Sequence, residues 1–131
     1  EIIFEHPLRI PYLDVLCHLE AASGVFVLGS TEPHYTPSKV YQGILSGKPL
    51  LAVLHYSSTA LKVVNSTNAG ITCIIDPDNL ERLPADFIEA FTKYRLFVTS
   101  YNPEDVKLDE LEEYSARSVT AKLVALLDKV I

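Results

Sequence analysis

The sequence contains no methionine and no tryptophan, only two cysteines, and fewer basic than acidic residues. Its net charge of -6 would repel nucleic acid and anionic membrane surfaces at long range, which argues against a general binder of either. Cys17 and Cys73 are too few for a disulfide framework or a thiolate metal site. Each lies in an apolar run, so both are expected to be free and buried in a reducing compartment.

Long apolar runs are also missing, and none reaches the roughly 18 residues of a membrane span. No segment resembles a signal peptide, so we expect a cytoplasmic protein. His6 and His18 have no metal-ligand spacing to either cysteine, and no metal site is predicted. The absence of methionine even at position 1, together with the strand-like start Ile2-Ile3-Phe4, favours a fragment of a longer polypeptide.

What remains is a chain of 131 residues, 48% hydrophobic and 21% charged, which suits one domain with a sizeable core. Three apolar runs, Val25 to Leu28, Leu50 to Leu54 and Ile71 to Ile75, lack polar alternation. Such runs are typical of parallel strands covered on both faces. Segments with helical periodicity separate them, so the order predicts βαβ units.

Further elements are predicted on either side of these units. They are a helix from Pro11 to Gly24, a helix from Phe87 to Tyr94 opened by Pro84, a short strand at Leu96-Phe97-Val98, an exposed helix from Glu104 to Glu113, and a last helix capped by Ser115 with an apolar stripe of Val119, Leu123, Leu126, Leu127 and Val130. The whole pattern predicts one Rossmann-like domain, a parallel sheet between two layers of helices.

The stretch "TPSKVYQGILSGKP" carries the candidate site. Thr36 is a suitable N-cap, Pro37 suits a first helical position, and Gly47 followed by Pro49 is a common stop, which predicts a ten-residue helix. This helix would begin at the carboxyl edge of the sheet, where open α/β folds bind ligands. Its first-turn amides, the Ser38 hydroxyl and the Lys39 ammonium would form a seat for a diphosphate. The alternative is a capping serine and a solvated surface lysine.

Other polar residues follow the predicted strands. Ser30 and Thr31 could bind phosphate or form a plain turn, and the run from His55 to Ser58 fits a turn and helix cap better than a pocket lining. Asp76-Pro77-Asp78 is interpreted as a turn that leaves a strand. The chain has no Gly-x-Ser-x-Gly elbow and no Walker sequence, which removes the corresponding hydrolase and P-loop classes.

The segment "PSKVYQGILSGKPLLAV" resembles the donor-binding helix of GT-B glycosyltransferases, in the large retaining group that includes family 4. The resemblance extends through "VLCHLEAASGVFVLGS" and "VVNSTNAGITCIIDPDNLERL", so that it covers roughly residues 12–83. It implies most of a C-terminal domain that binds a nucleotide-sugar donor, with an N-terminal GT-B domain elsewhere in the full-length protein. It also implies transfer of a hexose or amino sugar to a glycan or lipid-linked acceptor, without metal or other cofactor, in the cytoplasm or peripherally at an inner membrane face.

The same resemblance assigns roles to further residues. In this family a pair of glutamates contacts the donor sugar and the ribose, and His34 and Gln42 stand at those positions here. Gln42 could bind ribose hydroxyls, His34 a sugar hydroxyl or phosphate, and Glu32 could replace a missing carboxylate. Lys39 would be the remaining cation at the diphosphate, no catalytic residue is assigned, and the chain alone is not expected to turn over. Without the glutamates, a degenerate module that binds an anion or a partner stays open, as does a sugar-nucleotide epimerase of the same architecture.

Overall fold

The computed structural model describes residues 3–130, which form a three-stranded parallel sheet in the order β1-β2-β3 with helices on both faces. The strands are β1 (Val25–Leu28), β2 (Leu50–His55) and β3 (Gly70–Ile75), and the α-helices are α1 (Tyr12–Ala21), α2 (Lys39–Leu45), α3 (Thr59–Thr67), α4 (Leu83–Ser100) and α5 (Ala116–Leu127). Three 3-10 helices span Pro77–Arg82, Pro103–Asp105 and Leu108–Tyr114. The α/β class and the parallel sheet are thus confirmed.

The first residues form no strand in the described part of the chain. Ile3 and Phe4 are exposed and lie outside any regular element, while Ile2 lies outside the described residues. None of the helices in residues 3–130 is long and apolar enough to cross a membrane.

Strand β2 is the centre of the fold. Leu50 pairs with Val25 of β1 on one side and with Gly70 of β3 on the other, and all six residues of β2 are buried. Because successive side chains of a strand point to opposite faces, β2 contributes to two separate cores. Leu50, Ala52 and Leu54 belong to one core, and Leu51 and Val53 belong to the other.

The first core lies between the sheet and the helices α2 and α3. Val40 and Ile44 of α2 are four residues apart and therefore share one face of that helix. Val63 and Val64 of α3 are likewise buried against the sheet. The apolar periodicity between the strands therefore marks the faces that pack.

The second core lies under α4, on the other face of the sheet. Phe87, Ala90 and Tyr94 recur at three- and four-residue intervals and pack against Cys73 and other residues of β2 and β3. The Tyr94 hydroxyl donates to the Pro49 carbonyl oxygen at 3.1 Å, and burial raises the pKa of this phenol. This hydrogen bond joins α4 to the start of the central strand.

The predicted strand at Leu96-Phe97-Val98 is wrong, because these residues lie within α4. The helix continues to Ser100 and carries Phe97 against Tyr101, with ring centroids 5.4 Å apart. A run of three apolar residues cannot by itself distinguish a strand from a helical turn. The helix predicted from Phe87 to Tyr94 is confirmed, and it begins earlier, with Pro84 in its first turn.

The expectation that β1 is covered on both faces is also wrong. Val25 and Val27 pack toward α2 and α3, but Phe26 is 54% exposed and Leu28 is 64% exposed. Helix α4 lies over β3 and β2 and reaches β1 through the edge-to-face pair of Phe26 and Phe87, whose centroids are 6.1 Å apart. The outer strand is therefore half covered.

The two thiols have different environments. Cys73 is buried in β3 as expected, whereas Cys17 is exposed on α1, so the prediction of two buried cysteines is wrong for Cys17. Helix α1 runs from Tyr12 to Ala21 and buries none of its residues fully. The apolar run around Cys17 thus belongs to a peripheral helix that the sheet does not cover.

The C-terminal segment is mostly exposed. The acidic stretch forms two 3-10 helices instead of the predicted single helix, because Val106 between them turns inward and is buried in the first core. Ser115 caps α5 as predicted, since its Oγ accepts a hydrogen bond from Ser118 N at 3.1 Å. The apolar stripe of α5 stays exposed in the described structure.

Candidate functional site

The carboxyl ends of the three parallel strands meet at one edge of the sheet. Residues 29–38 connect β1 to α2, and residues 56–58 connect β2 to α3. Two side-chain contacts join the first loop to the second loop and the helix after it: Ser57 Oγ donates to the Pro33 carbonyl oxygen at 3.3 Å, and Thr36 Oγ1 lies 3.2 Å from Oγ1 of Thr59, the first residue of α3. The loops therefore form one polar surface at the edge where this class of sheet binds ligands.

Helix α2 begins later than predicted. Its first residue is Lys39 and its N-cap is Ser38, so it has seven residues instead of ten, and Thr36 is not the cap. The Thr36 hydroxyl is engaged with Thr59, while the Pro37 carbonyl oxygen accepts from Val40 N at 3.0 Å. A tertiary contact thus takes the hydroxyl that the sequence pattern assigned to helix capping.

The end of α2 is as predicted. The helix stops at Leu45, and Gly47 has a φ of 67°, a left-handed conformation that favours glycine. Gly47 N donates to the Ile44 carbonyl oxygen at 3.1 Å and closes the last turn. The predicted stop is therefore confirmed.

Lys39 and Gln42 face each other across one turn of α2. Lys39 Nζ donates to Gln42 Oε1 at 3.1 Å, which holds the ammonium over the first turn of the helix. The half-buried Gln42 also lines a cavity of about 310 Å³ between α1 and α2, together with Tyr12 and Leu16. The Lys39 ammonium is thus bonded to a residue that lines the cavity between α1 and α2.

Ser30 and His34 both lie in the β1–α2 loop. Ser30 Oγ accepts from Glu32 N at 3.1 Å, which is a local turn contact, and His34 is exposed. Ser38 is exposed as well and makes no side-chain capping bond to α2. Ser30, His34, Thr36 and Ser38 thus lie along one loop, with Lys39 at the start of α2 and Gln42 one turn further on.

His55 and Ser57 form a second polar group that the sequence interpretation placed in a plain turn. The His55 ring is buried at the end of β2, where its Nδ1 accepts from Ser57 N at 3.1 Å and lies 2.7 Å from Ser57 Oγ. Tyr56 stacks on that ring with centroids 4.4 Å apart. The available signal was a polar run directly after a fully buried strand, at the same edge as Thr36.

The segment after β3 has a structural role. Asp76 Oδ1 accepts from Asp78 N at 3.1 Å, and Asp76 Oδ2 accepts from Asn79 Nδ2 at 2.6 Å. The carboxylate therefore closes the turn that begins the 3-10 helix Pro77–Arg82. The interpretation of this motif as a strand-exit turn is confirmed.

The rest of the described structure has a larger cavity but no cluster of metal ligands. No group of three or more histidine, cysteine, aspartate or glutamate side chains within residues 3–130 could hold a metal ion. A mostly apolar cavity of about 650 Å³ lies between β1 and α4, lined by Phe26, Phe87 and Phe91 among others. It offers few polar groups for a nucleotide, so we place the candidate site at the carboxyl edge, where the polar loop residues lie.

No protein-family model, curated protein or solved structure matches the chain. The class that the structure defines is an α/β protein with a parallel sheet, consistent with a Rossmann-like fold. The interpretation as a glycosyltransferase depends on the quoted sequence segments and on the chemistry of the edge.

Proposed function

We propose that the chain is the donor-binding part of a GT-B glycosyltransferase and holds the diphosphate of a nucleotide sugar at the carboxyl edge of its sheet. One observation supports this most directly: the loops after β1 and β2 are joined by the 3.2 Å contact between the Thr36 and Thr59 hydroxyls. The hydroxyl groups of the β1–α2 loop and of the first residue of α3 thereby lie at the same edge, and Lys39 is the first residue of the helix that follows this loop. Such a surface presents hydrogen-bond donors to phosphate oxygens.

The proposed chemistry is electrostatic. In sugar transfer, the bond between the anomeric carbon and the diphosphate oxygen breaks, and negative charge grows on the departing diphosphate. Lys39 and the hydroxyl groups beside it would stabilise that charge where it develops, which lowers the barrier. The acceptor and the group that takes its proton would lie in the N-terminal domain that the resemblance implies.

Lys39 has a resting partner that a diphosphate would replace. Its ammonium donates to the neutral amide oxygen of Gln42, and an anionic oxygen is a stronger acceptor than an amide. When the donor binds, Lys39 would turn to the diphosphate and release the Gln42 amide. That amide could then bind the ribose hydroxyls, which is the role the family resemblance gives to this position.

Isothermal calorimetry of nucleoside diphosphates tests this proposal. We expect Lys39→Ala to weaken binding about tenfold, since a hydrogen bond to a charged group contributes about 1.5–3 kcal/mol and this one is partly solvated. Lys129→Ala, an exposed lysine beyond the end of α5, serves as the matched control and should bind like the parent chain. Equal affinities of the Lys39→Ala variant and the parent would remove the assigned role.

A second candidate is a module that binds an anion or a partner without sugar transfer. The observation in its favour is that His34 and Gln42 stand where the family has glutamates. The module does not require nucleoside diphosphate binding, and only the transferase predicts consumption of a nucleotide sugar by the protein with its N-terminal domain. No thermal shift with nucleoside diphosphates, together with no consumption of nucleotide sugars by that longer protein, would favour the module.

A further inference from the structure

The cavity of about 650 Å³ between β1 and α4 lies on the face of β1 that α4 leaves largely uncovered. Cavities of this size commonly bind small organic ligands. Phe26 of β1 packs edge-on against Phe87 of α4, and Phe91 lies one turn further along that helix. Phe26 remains 54% exposed and Phe91 remains 45% exposed, so both rings have surface left for contact with a ligand.

One stripe of α4 forms a wall of this cavity. Phe87, Phe91, Arg95 and Thr99 all line it at four-residue intervals, so each is the neighbour of the next on the helix surface. Because a helix rises about 1.5 Å per residue, the stripe is about 18 Å long. The rings of Phe87 and Phe91 stack at one end with centroids 6.1 Å apart. The wall therefore changes from aromatic to polar along its length.

The polar end of the cavity lies at the amino-terminal edge of the sheet. The Tyr94 hydroxyl, one residue before Arg95, donates to the carbonyl oxygen of Pro49, which directly precedes β2. Ser23 also lines the cavity and precedes β1. The loops proposed to hold a diphosphate follow the other ends of the same strands. The cavity is therefore separate from that site.

Arg95 is the only charged residue among those that line the cavity. It is exposed, and it forms no ion pair within residues 3–130. The lining contains no acidic side chain, although the whole chain has a net charge of -6. Charge complementarity therefore favours a ligand with an anionic group, and a guanidinium matches a carboxylate in both charge and shape.

From this lining we infer that the cavity is a binding site for a small aromatic carboxylate. The flat body of the ligand lies among Phe26, Phe87 and Phe91, where rings pack edge-on or offset. Its carboxylate pairs with the Arg95 guanidinium at the polar end. An acyl carboxylate would form the same ion pair without the ring contacts, so an aromatic body fits this lining better. The site does not depend on the proposed donor function.

Two fluorescent probes with similar aromatic bodies and different charge test the inference. Anilinonaphthalene sulfonate carries an anionic group in place of the carboxylate, and phenylnaphthylamine is the neutral counterpart. We expect Arg95→Gln to weaken binding of the sulfonate about three- to fivefold and to leave the neutral probe unchanged. Phe91→Ala should weaken binding of both probes about three- to tenfold. Arg9→Gln, at an exposed arginine ahead of α1, is the matched control and should bind both like the parent chain.

Competition against the sulfonate probe identifies the body of the ligand. Naphthoate should displace the probe at a lower concentration than octanoate does, and the reverse order would overturn the aromatic assignment. Equal losses of both probes in Arg95→Gln, or unchanged binding of both in Phe91→Ala, would overturn the site.

Sedimentation velocity tests whether a second copy of the chain covers this face instead. The parent chain should bind the sulfonate probe as a monomer. A dimer that excludes both probes would overturn the inference and assign the face to contact between copies.

Discussion

Strands β1 and β2 have similar sequences and different environments. "VFVL" and "LLAVL" are both unbroken apolar runs, yet all six residues of β2 are buried and only Val27 of β1 is. The central strand has neighbours at both edges and helices over both faces, whereas α4 leaves most of one face of β1 uncovered. Apolar sequence alone therefore does not decide burial, because burial also requires a neighbouring element to cover the strand.

The largest expected contrast between centre and periphery is in thiol reactivity. Burial, with a smaller contribution from the Asp86 charge, raises the pKa of the Cys73 thiol, so less thiolate is present at pH 8. The buried Cys73 can also react only after a local opening of the structure exposes its thiol. An opening free energy of about 4 kcal/mol would make its labelling on the order of a thousandfold slower than that of an exposed thiol. The exposed Cys17 should react with an aromatic disulfide reagent immediately.

Absorbance kinetics on the native chain measure this contrast, and the denatured chain, in which both thiols react quickly, is the control. Two equally fast thiols in the native state would mean that β3 is not part of a stable centre.

The next effect is a core truncation. Leu54→Ala removes a fully buried side chain of β2, and the cost should be about 2–5 kcal/mol of unfolding free energy. Leu28→Ala, at the mostly exposed end of β1, should cost about 0.5 kcal/mol or less. Urea denaturation followed by circular dichroism compares the two. Similar losses at both positions would contradict the difference between the strands.

A glycine tests how closely strands β2 and β3 approach each other. A Cβ added at Gly70 would overlap the backbone carbonyl oxygen of Leu50, so Gly70→Ala should destabilise the fold by about 1–3 kcal/mol. At Gly47, an added Cβ meets only Pro103 Cβ at 3.7 Å, and asparagine tolerates its left-handed conformation. Gly47→Asn should therefore cost less in the same urea titration. A larger loss of stability for Gly47→Asn than for Gly70→Ala would show that the left-handed backbone at Gly47 matters more than the close approach of the strands at Gly70.

The smallest effect is expected at α5. Ser115→Ala removes the capping bond to Ser118 N and should cost that helix about 1 kcal/mol. Because α5 packs mainly on the 3-10 helix Leu108–Tyr114, the loss should appear as faster amide exchange in α5 with little change in global stability. Thr120→Ala, an exposed site on the same helix, is the control. A large fall in the global unfolding midpoint would show that α5 belongs to the central fold.

Local patterns predicted much of the architecture. The three strands, the helices between them, the stop at Gly47 and the cap at Ser115 follow from apolar periodicity and from the conformational preferences of single residues. The errors have two sources, a distant contact at Thr36 and, at Leu96 to Val98, an apolar run too short to distinguish a strand from a helical turn. Thr36 looked like a cap but pairs with Thr59, which is 23 residues away, and Leu96 to Val98 looked like a strand but continue α4.

Part of the candidate site was predictable because its residues lie close together in the sequence. The residues from Ser30 to Lys39 are contiguous, and the position of their loop follows from parallel strand order. The contribution of the loop after β2 was not predictable in detail. The bond from Ser57 to the Pro33 carbonyl oxygen and the enclosure of Ser58 depend on how that loop packs in the fold.

The sequence by itself determined the order of strands and helices, their apolar faces and most of their ends, because these depend on neighbours within a few residues along the chain. Only the tertiary structure decided which apolar faces are covered, which hydroxyl groups are engaged and which thiol is protected. Each of these depends on contacts between elements far apart in the chain, and the arrangement of the helices over the sheet determines which contacts form.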